Sequence, residues 1–317
     1  MKHVNFSTAP LVYLIALAFT LASCKSSRLI GANEANISGN YCAPATRYNY
    51  DPGSIPLRNT DSLLAANTDM PVRELAMANA AGVLLLVRSL RGIAQDSSVE
   101  GRLRRMEIGS AIQHRILTAS VEMDGIAAEL DCEGERADQL ARFLDDYNNK
   151  RNTKLTVASI IVGAITTIAT VAIKENGPQN AVAIGGGLLS AGLGAMTINA
   201  ARKKISLQHP RNLLSDIWYA PDSSSLYPPF IWYVLNEKHF SNSGQLSLIQ
   251  SIRKRWLEFD LGKKLSHADE QLYFGTGGIY KADNLHTRAA MLNELQSTVR
   301  SISQDLQGLL EYLTHYR

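Results

Sequence analysis

The chain has 317 residues, of which 45% are hydrophobic and 19% charged, with a formal net charge of +3. That hydrophobic content is ordinary for a globular chain, and this length can bury a proper core as one large domain or two smaller ones. So small a charge excess offers no electrostatic case for a nucleic-acid partner.

The amino end has the parts of an export signal. Lys2 supplies positive charge, Leu11 to Leu21 is an uncharged apolar run too short to span comfortably as a mature helix, and small residues follow. The stretch Leu21-Ala22-Ser23-Cys24 resembles the bacterial lipobox. This resemblance covers only the leader and Cys24. It implies that residues 1–23 are removed, that the Cys24 thiol is acylated, and that the new amine at Cys24 is acylated too. Each buried CH2 adds about 0.8 kcal/mol, so several acyl chains anchor where one is marginal. Lys25, rather than Asp, follows the cysteine; by resemblance to enterobacterial sorting this implies an outer-membrane anchor facing the periplasm. Cys42 and Cys132 are then left as an even pair, either one bridge or two buried thiols. A bridge closing so long a loop is worth about 4–5 kcal/mol in the chain-entropy account. No CxxC or Cys/His cluster exists, so no structural zinc site is expected.

Residues 24–60 read as a flexible tether punctuated by Pro44, Pro52 and Pro56, with a turn at Asp51-Pro52-Gly53. Residues 61–150 read as helical. Met70 to Ile93 is rich in helix formers, with a stripe at Val83, Leu86, Leu90 and Ile93. A longer helix starts near Val99, with apolar positions Ile112, Ile116, Ala119, Met123, Ile126, Leu130, Ala137, Leu140, Leu144 and Tyr147. Spacings of four and three form the seam of a coiled coil or long helical hairpin. Glu133 interrupts this seam, and Gly134 beside it is expected to mark a bend or a break.

Residues 151–205 are the unusual part. Leu155 to Ile173 and Ala181 to Ala201 carry no charge, and the polar turn Lys174 to Asn180 separates them. Lys150, Arg151 and Lys154 precede the pair, and Arg202, Lys203 and Lys204 follow it. The pattern predicts a glycine-rich hydrophobic helix–turn–helix hairpin with both basic ends on one side. Each arm is long enough for a bilayer core, which takes about 20 residues. Gly163, Gly185, Gly186, Gly187, Ser190, Gly192 and Gly194 are the expected packing positions, because small residues let two backbones approach. A topology conflict accompanies this. If the lipid lies outside the inner membrane, the basic flanks lie outside too, against the positive-inside tendency. Three arrangements reconcile it: insertion from the periplasmic side, in an oligomer or otherwise; burial as an apolar pair inside a soluble bundle; or a hidden element that a partner releases.

Residues 206–282 form an aromatic-rich mixed region. Trp218, Tyr219, Tyr227, Phe230, Trp232, Tyr233 and Phe240 read either as an interfacial belt or, in preference, as a small core. A helix is expected over Leu246 to Phe259. The run Phe274 to Tyr280 lacks the glycine spacing of a dinucleotide fingerprint and the GK[ST] of a P-loop, so it reads as a tight loop. Residues 283–317 form a C-terminal amphipathic helix, expected to dock on the 61–150 helices. HExxH and GxSxG are absent, and the histidines beyond the leader are scattered. His267, Asp269 and Glu270 form the densest titratable group, on a polar stretch that reads as a solvated turn.

The fold class expected is therefore mainly α: long helical hairpins or a bundle, the glycine-rich hairpin, and a small aromatic-rich C-terminal region. The function expected is that of a non-enzymatic, lipid-anchored envelope protein, structural or accessory to a membrane-associated assembly. Its expected partners are the membrane and envelope proteins or further copies of itself, with no cofactor or metal. A membrane-active, pore-forming lipoprotein acting through residues 155–201 is the alternative, and a periplasmic enzyme a remote third.

Overall fold

The computed structural model describes residues 29–30, 41–44, 55–57, 62, 70–173, 176–198, 202–262 and 264–314. The leader, Cys24 and most of the tether lie outside these. The chain is mainly α, as its periodicities predict, and it is organised around one helix of unusual length.

Two short helices come first, α1 (Val72–Ala80) and α2 (Leu84–Gly92). The sequence reads as one helix here, but the axes differ by 114°. Gly82 takes a left-handed φ of 67°, which costs a residue without Cβ little, and breaks the run. The buried stripe consequently shifts to Val83, Leu84, Val87 and Leu90, leaving Leu86 and Ile93 partly exposed. Helix α3 (Val99–Ala172) then runs unbroken for 74 residues, about 110 Å. Its start is capped by Ser98, whose hydroxyl accepts from the Gly101 N–H at 3.0 Å.

The C-terminal helix α9 (Ala282–Thr314) lies antiparallel along α3. Gln296 donates to Asp131 near its middle, and His286 meets Asp138 and Asp145 nearer its start. All eight positions of its stripe, Leu285, Leu292, Leu295, Val299, Ile302, Leu306, Leu309 and Leu313, are buried. On α3 the helix continues through Gly134 without a break, a departure from expectation. A Cβ at Gly134 would sit 2.6 Å from Asn293 Oδ1, so the glycine permits close approach of α9. Beyond it the seam follows Ala137, Ala141 and Leu144, while Leu140 is half-buried and Tyr147 exposed. A straight helix of 3.6 residues per turn drifts away from a 3.5-residue repeat, which moves the buried face by one position.

After α3 and its partner α4 (Asn176–Ile198) comes a three-stranded sheet. Strand β1 (Leu29–Ile30) pairs parallel with β2 (Lys204–Gln208), with Leu29 opposite Lys204. Strand β3 (Gly277–Tyr280) pairs antiparallel on the other side of β2. The glycine-rich run is thus strand and turn. A Cβ on Gly277 would lie 2.3 Å from the Leu207 carbonyl oxygen, so this close pairing requires glycine. Helices α5 (Leu213–Tyr219), α6 (Pro229–Asn236), α7 (Leu248–Arg255, continued by a π-helical turn to Asp260) and α8 (His267–Phe274) fill the space between sheet and long helices.

Most of the aromatics are core, with Trp218 and Tyr233 partly buried against it and Tyr219 exposed. Tyr227, Phe230, Trp232 and Phe240 are buried, and Trp218 stacks on Phe274 at 4.3 Å. One continuous core runs from Met70 to Leu313, so the aromatic-rich region shares it with the long helices. Cys42 and Cys132 are joined by a disulfide, which fastens the amino-terminal segment to the middle of α3.

Candidate functional site: an apolar hairpin and its basic base

The distal part of α3 and α4 pack against each other rather than on the body. Residues 176–180, expected as turn, already belong to α4, with Pro178 in its first turn where the missing N–H is harmless. None of the apolar stretch of either arm is buried. Each arm is about 27–32 Å long, against a bilayer hydrocarbon core of about 30 Å.

The interior of this hairpin is small and polar. Ser159 Oγ donates to the Ser190 carbonyl at 3.0 Å, and Ser190 Oγ returns a bond of the same length to the Ser159 carbonyl. Gly163 lies against Ser190, and a Cβ on Gly186 would collide with Thr166 at 1.9 Å. Near the tip, Gln179 Nε2 donates to the Thr170 carbonyl at 2.7 Å. The exterior is large and apolar: Ile160 is 65% exposed, Ile168 70%, Val171 81% and Leu188 70%. In water the opposite arrangement is stable, because large apolar side chains gain most from burial. Hydrocarbon removes that drive and instead penalises every unsatisfied polar group. Here the hydroxyls of Thr156, Thr166, Thr167, Thr170 and Thr197 each donate to a carbonyl of their own helix, so they need no water.

The expected packing residues divide into two groups. Gly163, Gly186 and Ser190 form the seam, and Gly194 lies within van der Waals reach of Ser159. Gly185, Gly187 and Gly192 do not pack: a Cβ on any of them meets nothing within 4 Å. Burial of the hairpin within a soluble bundle, one of the three arrangements the sequence allows, is not what the fold adopts.

At the base, Lys203 donates its backbone N–H to Asn148 Oδ1 at 2.9 Å and lays its ammonium 5.2 Å from the centre of the Tyr147 ring. Arg202 pairs with Asp283 at 3.2 Å. A polar recess of about 220 Å³ opens beside them, lined by Asp145, Asn148, Asn152, Arg202, Lys281 and Asp283. Across residues 145–154, 202–204 and 281–283, seven cations accompany three carboxylates. Outside these positions the acidic and basic residues of the chain nearly cancel, so the positive excess is concentrated where the hairpin leaves the body.

The titratable groups of the body serve its packing. Arg211 holds the buried Glu129 through two hydrogen bonds, of 2.6 and 3.2 Å, while burial pushes that carboxyl upward. Arg288, fully buried, donates to the Tyr273 carbonyl and to Asn212 Oδ1. Tyr280 gives its proton to the Leu272 carbonyl, so His209 Nε2, 2.8 Å away, carries the hydrogen and donates to the phenol oxygen. Burial, with the nearby Arg288 and Arg136, drops His209 to about 2 and keeps it neutral. His267 and Glu270 are 3.9 Å apart at the exposed start of α8. Among the described residues no group of three or more His, Cys, Asp or Glu is placed to hold a metal ion. No family model matches this chain, and no curated protein or solved structure shows significant similarity to it.

Proposed function

We propose that this is a non-enzymatic lipid-anchored envelope protein whose hairpin, residues 155–198, is embedded in a bilayer, and that the helical body serves as a structural or accessory component of a membrane-associated assembly. The observation that carries this reading is the inverted hairpin: hydroxyls and glycines inside, isoleucine, valine and leucine outside. Acylation at Cys24 supplies the second hold on the membrane, and Lys25 after it supports an outer-membrane anchor facing the periplasm. From the base of the hairpin back to Val99, α3 extends about 80 Å. The body is therefore a post that presents surfaces well away from the bilayer. Leu103, Met106, Leu117 and Val121, all exposed on the far half of α3, supply apolar contacts there for an envelope protein or a second copy.

Trypsin tests the embedding. Basic residues bracket the hairpin, and Lys174 alone offers a cut between Leu155 and Ala201. Digestion of membranes carrying the full protein should leave a peptide from Leu155 to Arg202 that resists carbonate extraction and is uncut at Lys174 until detergent is added. Loss of that peptide with the soluble fragments defeats the reading. Palmitate incorporation, lost on Cys24→Ser together with leader trimming, checks the lipid.

The pore-forming alternative draws on Gly185, Gly187 and Gly192, which leave flat patches on the outside of the hairpin where further hairpins would pack. Dye release from liposomes by the purified protein, abolished by Gly187→Leu and Gly192→Leu, favours it; intact liposomes exclude it.

A further inference from the structure

The strand pairing at the hairpin base bears on which side of a bilayer the hairpin meets first. Strand β2 starts at Lys204, close after the end of α4, and runs away from the hairpin. Because β1 is parallel to it with Leu29 opposite Lys204, the chain that precedes Leu29 joins β1 at its hairpin end. Cys24 is five residues before Leu29, a reach of at most about 18 Å. The acyl chains and the hairpin base are thereby restricted to the same neighbourhood. The basic collar occupies that neighbourhood too: Lys150, Lys154 and Lys204, with Arg202 and Lys281 at the polar recess. Tyr147, exposed beside Lys203, adds a ring of the kind enriched at headgroup depth.

We infer that the hairpin inserts from the leaflet that holds the Cys24 acyl chains, with its tip directed at the opposite leaflet, and that the collar at its base binds anionic phospholipid headgroups of the first leaflet. The inference rests on the embedded-hairpin reading above. It resolves the topology conflict of the sequence: the basic flanks stay on the side of the lipid because the hairpin enters after export, drawn by negative headgroups. Near such a surface each Lys or Arg contributes about 1 kcal/mol, so three lysines supply roughly two orders of magnitude in insertion equilibrium.

The acylated full-length protein provides the test. With Cys24 acylated and Cys42 bonded to Cys132, a single introduced cysteine is the sole free thiol. Asn149→Cys reports the base and Asn180→Cys the tip; both side chains are exposed. Each variant is added from outside to preformed vesicles of phosphatidylethanolamine with phosphatidylglycerol, or of phosphatidylcholine alone, and treated with a membrane-impermeant maleimide. In anionic vesicles Asn149→Cys should label and Asn180→Cys should be shielded until detergent is added. The shielded fraction should fall at least tenfold in phosphatidylcholine, and likewise in anionic vesicles when Lys150, Lys154 and Lys204 are changed to Gln. The phosphatidylcholine arm needs no collar substitution, so a folding defect cannot imitate the result. Labelling of Asn180→Cys from outside in anionic vesicles overturns both this inference and the embedded hairpin. Equal shielding in both lipids, or shielding of Asn149→Cys with the tip, overturns the inference and leaves the embedded hairpin standing.

Discussion

Glu122 shows how a single side chain sets a measurable property. It sits half-buried on α3 beside the seam residue Met123, and burial pushes its carboxyl up to about 7. The folded state therefore holds this proton more tightly than the unfolded chain, whose carboxyl keeps its ordinary value near 4.5. The stability tied to that proton is complete below about 4.5 and is lost as pH rises through about 7. The shift sets a ceiling of about 3 kcal/mol, which solvent screening at a half-exposed position lowers to about 1 kcal/mol. Glu122→Gln should raise the melting temperature at pH 8 by several degrees and leave it unchanged at pH 4.5. Equal effects at both pH values would refute the assignment. His209 has the opposite sign: held neutral, it withdraws stability as pH falls below about 6.5. Neither group stands out by residue type or spacing in the sequence. The environment of His209 includes a segment far off in the chain, α9, which carries Arg288.

At the scale of elements the hairpin separates two kinds of glycine. Gly186 is required by the backbone approach at Thr166, whereas Gly185 has open space around it. Gly186→Val should loosen the pair by about 1–3 kcal/mol, the usual cost of overpacking. Gly185→Val should cost little within the hairpin. Thermal unfolding in detergent, with protection of the Leu155–Arg202 tryptic peptide as the second readout, distinguishes them; equal losses would show that the seam is wrongly placed. The existence, length and polarity of the arms are legible in the sequence, because a run without charge states its own hydropathy. Which glycines face inward is not legible. Five glycines fall between Gly185 and Gly194, and helical spacing alone admits more than one seam. The same applies to Gly134, which by composition resembles a helix breaker and in the fold is a point of contact with Asn293.

For the whole molecule, the features with most consequence are the disulfide and the continuity of α3. The Cys42–Cys132 bond spans 90 residues, and loss of so long a loop should cost about 2–5 kcal/mol. Cys42→Ser with Cys132→Ser should lower the melting temperature of the body by roughly 5–15 °C for a chain of this size, read by circular dichroism. An unchanged melting temperature would mean that the amino-terminal segment adds nothing to the body. Unbroken helix from Val99 to Ala172 makes the apolar first arm of the hairpin and the core-facing seam a single element. Any tilt of the hairpin is therefore transmitted to the body.

Periodicity and composition alone determined the mainly α class, the two long apolar arms, the basic residues that bracket them, and the buried stripe of α9. These are local properties, carried by neighbours within a few helical turns. Tertiary structure decided the rest: the bend at Gly82, the unbroken passage of α3 through Gly134, the union of Cys42 with Cys132, and the placing of Leu29 beside Lys204. Each of these, except the bend, depends on the approach of segments tens to hundreds of residues apart. At Gly82 a glycine in the left-handed region breaks the run, so the two short helices diverge there. Long-range contacts are set by which faces can be buried together, and no window of sequence contains that information.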